Sequence, residues 1–359
     1  MQRERILFPE ENMLLVDPPA ELKTPLKING KILLGPGPSN PSPAVYDAMG
    51  QPLLGYLHPS FLKLEPGDKV LIAQHGLWGE RAAEISNRIG ANVSMVQKPL
   101  GHGFNYEEIE QAIKKHHPVV FFMCHSESST GVMQPLEGLG DLCHANGCLF
   151  LVDTVASLGG VPFSADKLNI DCVYSASQKV LGCPPGLAPI SFSQKGIEKV
   201  LNRKTKPISF YMDVKLIANY WGCDGDVRKY HHTGPINLIY GLRASTADIV
   251  NEGLENVTER HRLSAQRLYD GLEKLGLELF VQNPTYRLPT LTTVHVPQGV
   301  DWKKVVDHLY NNYNIDIAGG LGATAGKIWR IGLMGYNSTF ENVDLCLKAM
   351  EEALKVGRS

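Results

Sequence analysis

Residues 175–186 read SASQKVLGCPPG, with one lysine, Lys179, set between small residues and a Gly/Pro loop. The run just before it carries Ile170, Cys172, Val173 and Tyr174 and reads as a strand, so Lys179 stands just past a strand end. In most proteins a lysine so placed is a solvated loop charge. The stretch CLFLVDTVAS, residues 148–157, raises the alternative. It is the continuous apolar run of a fully buried parallel strand, and it carries Asp153 at its far end. A buried aspartate needs a partner.

An aspartate closing one parallel strand and a lysine just past its neighbour form the pair that pyridoxal phosphate requires. The lysine supplies the Schiff-base amine, and the aspartate keeps the pyridine nitrogen protonated so that the ring acts as an electron sink. VDTVASLGG (residues 152–160), followed by SASQK and PPG, resembles the class V aminotransferases, in particular their alanine–glyoxylate/serine–pyruvate branch.

Composition agrees with a globular protein. The chain has 359 residues, 43% hydrophobic and 20% charged, with a formal net charge of -2, long enough for two domains. It has no basic patch, which argues against a nucleic-acid partner, and no apolar run long enough to cross a bilayer. Seven cysteines (Cys124, Cys143, Cys148, Cys172, Cys183, Cys223, Cys346) lie scattered without CxxC pairs, so reduced thiols and an intracellular compartment are expected. The opening MQRERILFPEEN lacks the apolar core of a secretory signal, and the terminal GRS is not a peroxisomal SKL address. The resemblance nonetheless implies the peroxisome, with cytosol or mitochondrion as alternatives.

From Asp68 onward strands and helices alternate. A strand at Val70 to Ala73 leads to a helix closed by Gly90, and a strand at Val93 to Val96 leads to a helix capped by Asn105 with Glu108. PVVFFMC, the Asp153 and Lys179 strands and LAPISFS follow, with a helix over 136–146. The pattern predicts an α/β fold: a mostly parallel sheet flanked by helices, with ligands at the carboxyl ends of its strands. One long helical region, about Leu238 to Leu275, precedes a smaller α+β domain with TLTTVHVP and KIWRIGLMG strands and a last helix capped at Ser338 with Glu341. The domain boundaries expected are an arm at 1–31, a large cofactor-binding domain at 32–252 and a small C-terminal domain at 253–359. By resemblance this is fold type I of the pyridoxal phosphate enzymes.

The resemblance also assigns roles. Trp78, at a helix start in HGLWGERA, matches the residue that stacks on the pyridine ring, which an indole face suits. Ser128 in SESSTG and Gln178 beside the lysine match groups near the cofactor, Gln178 at its phosphate. Val155, two residues past Asp153, packs under the ring. Tyr230 and Thr233 in YHHTGP match residues that reach the phosphate of the other subunit, so a homodimer is implied. Gly35, in the Gly/Pro loop ILLGPGPSNPSPAV ahead of a helix near Ser42, matches a loop that approaches substrate, where only glycine lets backbone come close. Arg330 lies in an otherwise apolar strand and must find an anion; a bidentate grip on a substrate α-carboxylate suits a guanidinium. His231 and His232 do not suggest a metal, because neighbours on extended chain point opposite ways, and no metal site is expected. GHG (101–103) and GGLG (319–322) read as loop ends.

One interval departs from the family. After HPSFLK (58–63) the chain passes directly to LEPGDKVLIAQ, although in the family a helix, a strand, a glycine-rich turn and another helix intervene. That turn and helix N-terminus form the cup for the cofactor phosphate. The reaction implied is transfer of the amino group of L-alanine or L-serine to glyoxylate, impaired by the gap between Lys63 and Leu64. Two alternatives stand beside it: 3-hydroxykynurenine as the amino donor, and an inactive shortened form that acts only as a dimer partner.

Overall fold

A computed structural model describes residues 31–49, 64–207 and 209–358. All but the last residue of the expected arm, the HPSFLK stretch and the Lys63 side of the gap lie outside the described residues.

The elements run β1 (Ile32–Leu33), α1 (Pro43–Met49), β2 (Lys69–Gln74), α2 (Leu77–Arg88), β3 (Asn92–Gln97), α3 (Tyr106–His116) and β4 (Val120–Cys124). A short hairpin, β5 (Ser126–Glu127) and β6 (Val132–Met133), leads to α4 (Leu139–Ala145), β7 (Leu149–Asp153), β8 (Cys172–Tyr174) and β9 (Ile190–Phe192). Then come four helices, α5 (Gln194–Leu201), α6 (Val214–Trp221), α7 (Ile236–Glu252) and α8 (Leu254–Lys274). The chain continues through β10 (Leu291–His295), α9 (Trp302–Tyr313), β11 (Ile315–Asp316), β12 (Ala318–Gly319), β13 (Ile328–Gly332) and α10 (Phe340–Gly357).

The main sheet has the order β3-β2-β4-β7-β8-β9, parallel except for β9, which runs antiparallel to β8. Every residue of β4 is buried, as a central strand covered on both faces requires. Alternate side chains serve opposite faces. Leu71, Phe121, Phe150 and Val152 meet Ile109 and Ile113 of α3 and Leu139 and Leu142 of α4. Val70, Ile72, Val120 and Phe122 meet Ala83 of α2 on the other face. Register aligns Ile72, Phe122, Leu151, Cys172 and Phe192 in one row across that second face. The row floors a cavity of about 400 Å³.

The expected caps are found with small shifts. Asn105 and Glu108 form a reciprocal capping box at α3, with both hydrogen bonds at 2.9 Å. The predicted single helix from Leu238 is two, α7 and α8, broken at Gly253, whose φ of +88° no ordinary helical residue adopts. The terminal helix is capped by Thr339, not Ser338: the Thr339 hydroxyl accepts from the backbone of Asn342.

A second, antiparallel sheet, β10-β13-β12, packs on α8, α9 and α10 around the fully buried Trp329. Residues from the start of the described chain complete it. β1 pairs in parallel with β11, and Leu34 lies in this core.

Two buried carboxylates hold elements together, Asp171 at the main sheet and Glu127 at the start of α2. Asp171, fully buried just before β8, accepts from the backbone N–H of Phe150 (2.9 Å), Nε2 of His144 (2.9 Å) and the Ser193 hydroxyl (2.7 Å). It thereby ties β7, α4 and the start of α5 to one point. Glu127, fully buried on β5, caps α2 from a different element. Its Oε2 accepts from Trp78 N (3.1 Å), its Oε1 from the Ser129 hydroxyl (2.6 Å), and that hydroxyl accepts from Leu77 N (3.0 Å). The residue before the helix is Gly76, and a Cβ there would lie 2.3 Å from the Glu127 side chain. No side chain at position 76 could both fit and cap.

Asp171→Ala leaves the Phe150 N–H buried without an acceptor and should cost about 3 kcal/mol; an unchanged urea midpoint would refute the role. Burial pushes Glu127 up to about 7, against the hydrogen bonds from Ser129 and Trp78. Its folded value exceeds its unfolded one, so its contribution favours folding at low pH and fades as pH rises from about 4.5 to 7. In Glu127→Gln this contribution is gone. The stability gap between the two proteins, followed by thermal melting from pH 4.5 to 8, should therefore shift toward the variant with rising pH.

Candidate active site

Asp153 is the last residue of β7, where the apolar run meets the loops above the sheet. One carboxylate oxygen accepts from the Val155 N–H at 2.7 Å and the other from the Tyr174 hydroxyl at 2.6 Å. Burial raises Asp153 to about 6, although those two bonds and the charge of Lys179 favour its ionised form. The same burial holds Tyr174 well above its ordinary range.

Lys179 follows β8 and faces the same cavity as Asp153. Burial lowers its amine to about 8, with the positive charge of Arg330 acting in the same direction and Asp153 opposing. Its Nζ donates to the carbonyl of Pro36, and its own carbonyl accepts from the Ser39 hydroxyl at 2.8 Å. The Gly/Pro loop therefore packs on the lysine. Gly37 makes that closeness possible: with φ +105°, it would place a Cβ 2.5 Å from the lysine side chain. Gly35 lies farther back, near the Asp316 carbonyl and against Gly332.

Trp78, at the start of α2, donates from its indole N–H to the Ser128 hydroxyl at 2.8 Å. Trp78, Ser128, Val155 and Gln178 all line the cavity with Asp153 and Lys179. Arg330, in the middle of β13, is 6% exposed. Its Nε donates to Gly319 O (2.8 Å) and one terminal nitrogen to Ser128 O (3.2 Å). Among the described residues no carboxylate lies within ion-pair distance of it, and burial lowers it to about 10.

Tyr230 and Thr233 are not part of this cluster within one chain. Tyr230 is 70% exposed, and its hydroxyl bonds that of Thr233 at 2.7 Å. The adjacent histidines do not diverge as expected of extended chain. The Nδ1 atoms of His231 and His232 lie 2.7 Å apart, and residues 230–235 form no strand. Among the described residues no group of three or more His, Cys, Asp or Glu could hold a metal.

Sequence reasoning missed Glu127, Tyr174, Gly37 and Gly319. Glu127 carried a readable signal, an acid in a run of small residues directly after a buried strand. Gly319, expected to end a loop, instead lies in β12, where its carbonyl holds Arg330.

Comparison with known proteins accords with this geometry. The family model for class-V aminotransferases matches residues 54–346. The chain is 47% identical over 380 aligned positions to an alanine–glyoxylate aminotransferase of Oryctolagus cuniculus, covering 95% of this chain and 97% of the relative. It is 42% identical to one of Drosophila melanogaster, covering 95% of this chain and 96% of that one. The crystal structure of an alanine–glyoxylate aminotransferase from Nostoc sp. superposes with a TM-score of 0.88 at 42% identity, covering 92% of this chain and 97% of that one. The chain belongs to the class-V aminotransferase family, and it is a pyridoxal-phosphate-dependent aminotransferase of fold type I.

Proposed function

We propose that the protein transfers the amino group of L-alanine, or L-serine, to glyoxylate. The observation that carries this reading is the pair Asp153 and Lys179 in the lining of one cavity, with Arg330 near enough for its charge to act on Lys179 and bonded to the carbonyl of the cavity residue Ser128, in a chain whose relatives are named for that reaction. The residues fit the ring end of the cofactor. Asp153 is a buried carboxyl group suited to a ring N–H, the Trp78 indole offers a stacking face, and the Lys179 amine stands ready for the aldehyde carbon.

Bound pyridoxal phosphate supplies the electron sink that lets the bond between Cα and its hydrogen ionise. The rest falls to the chain. Asp153 holds the proton on the ring nitrogen. Arg330 orients the substrate by its α-carboxylate, with Gly319 and Ser128 carbonyls fixing the guanidinium plane. Nζ of Lys179, with its affinity for protons lowered by burial, would take the proton from the substrate Cα.

The phosphate end is weaker. The rabbit alignment spans 380 positions, whereas 95% of 359 residues is about 341, so about 40 positions have no counterpart here. This supports a shortened interval at Lys63 and Leu64. The backbone donors at the start of α2 do not replace the lost cup, since Glu127 and Ser129 already occupy them. Gln178 remains on the cavity wall, and Tyr230 and Thr233 would come from a second copy. Phe210 and Tyr211 beside them are more than half exposed, an apolar surface that a second copy would cover.

With excess cofactor, alanine alone should give one burst of pyruvate per site, and glyoxylate should restore it. Lys179→Ala should abolish the burst, whereas Arg330→Lys should raise KM for alanine about 10- to 100-fold by losing the bidentate grip. An unchanged burst in Lys179→Ala would sink the assignment. Sedimentation should give about twice 39.5 kDa, and Phe210→Asp should shift the protein toward the monomer.

A further inference from the structure

One face of α8 lines a second cavity, of about 390 Å³, which shares no lining residue with the catalytic one. Glu255, Glu259, Arg262, Gln266 and Tyr269 recur on that face at helical spacing. Met133 of β6 and the loop residues Pro162 and Pro289 add apolar wall. The cavity is open to solvent: Pro162, Arg262 and Gln266 are exposed, and Met133, Arg287 and Pro289 are half-buried. Its volume is that of a small-molecule site.

The two arginines in its lining differ. Arg262 is already paired with Glu259 through two hydrogen bonds of 2.7 Å. Arg287 is held in place by neutral groups alone. Its backbone bridges Val132, its guanidinium carbon lies 5.5 Å from the centre of the Tyr269 ring, Nε donates to Val281 O at 3.0 Å and a terminal nitrogen to Gln282 O at 3.1 Å. These contacts fix the guanidinium plane and engage two of its five N–H donors. Among the described residues no carboxylate lies within ion-pair distance of it. A guanidinium oriented in advance, with donors to spare, suits a planar carboxylate.

We infer that this groove binds a small apolar monocarboxylate, with its carboxylate on Arg287 and its hydrocarbon or aromatic body against the prolines and α8. The charges of the lining set both the class and the direction of the guest. One uncommitted cation matches a single negative charge, whereas a phosphate dianion would face Glu255 and Glu259 without a second cation to offset them. Glu255 lies about 20 Å along the helix from Tyr269, so it repels an anion from the far end and leaves Arg287 as the place for it. The site stands apart from the proposed amino transfer and does not rest on it.

The test is photolabelling of the full chain with 4-benzoylbenzoate, whose ketone inserts into nearby C–H bonds on irradiation, beside the uncharged 4-(hydroxymethyl)benzophenone, with peptide mass mapping. The acid should label residues 255–269 or 284–289 at least tenfold more than the alcohol at equal concentration, and 4-phenylbutanoate should compete that label away. Arg287→Gln should bring the two probes to equal labelling. Equal labelling of the groove by both probes in the native chain means no anion is recognised and overturns the inference. Labelling by the acid that is absent, or confined to other peptides, those of the catalytic cavity included, overturns it as well. Gln266→Trp, at an exposed position where an indole fills the mouth, should remove the label with Arg287 intact; if either variant fails to fold, the comparison of probes in the native chain decides.

Discussion

The structure depends on one constraint: a carboxyl group stands where an apolar strand ends, and it must be accommodated without water. Asp153 meets this with two hydrogen bonds, one from the turn that follows its strand and one from Tyr174 of β8, and with the Lys179 charge nearby. The two groups are mutually adjusted. Burial raises the acid and lowers the amine, and each favours the charged form of the other. The β7–β8 register sets this relation, because pairing Asp153 with Tyr174 places the lysine loop directly above the acid. A slip of one residue would turn Asp153 to the opposite face of the sheet.

The glutamate on β5 applies the same rule to a helix. Glycine at position 76 cannot cap α2, so the cap comes from Glu127, and the Trp78 backbone is held by the acid that neighbours Ser128, its indole's partner. Backbone and ring of one tryptophan are thus fixed by successive residues of a single hairpin.

Much of this was legible in the chain. The parallel strands announced themselves as apolar runs; Asp153 and Arg330 stood out because charged residues in such runs need partners, and Lys179 stood out by its place just past the strand beside Asp153. The Asn105 capping box was readable to the residue. What escaped depended on contacts distant in sequence. Gly37 and Gly35 are alike in composition, and only the packing of the loop on Lys179 separates them. Gly319 reads as a loop glycine until β13 is placed beside it. The break at Gly253 was missed because apolar periodicity continues on both sides of it, and a single backbone angle decides the matter. The two histidines misled for a related reason, since the argument from extended chain fails where no strand forms.

The pairing of β1 with β11 bears on the order in which the molecule is assembled. The main sheet needs residues 69–192 alone and can form while the chain is still emerging from the ribosome. Residues 32–34 must wait for strand partners made nearly three hundred residues later. The loop bearing Pro36 and Gly37 hangs from those residues. The contacts that close over Lys179 are therefore among the last to form, and a nascent chain holds its reactive amine uncovered until translation is almost complete.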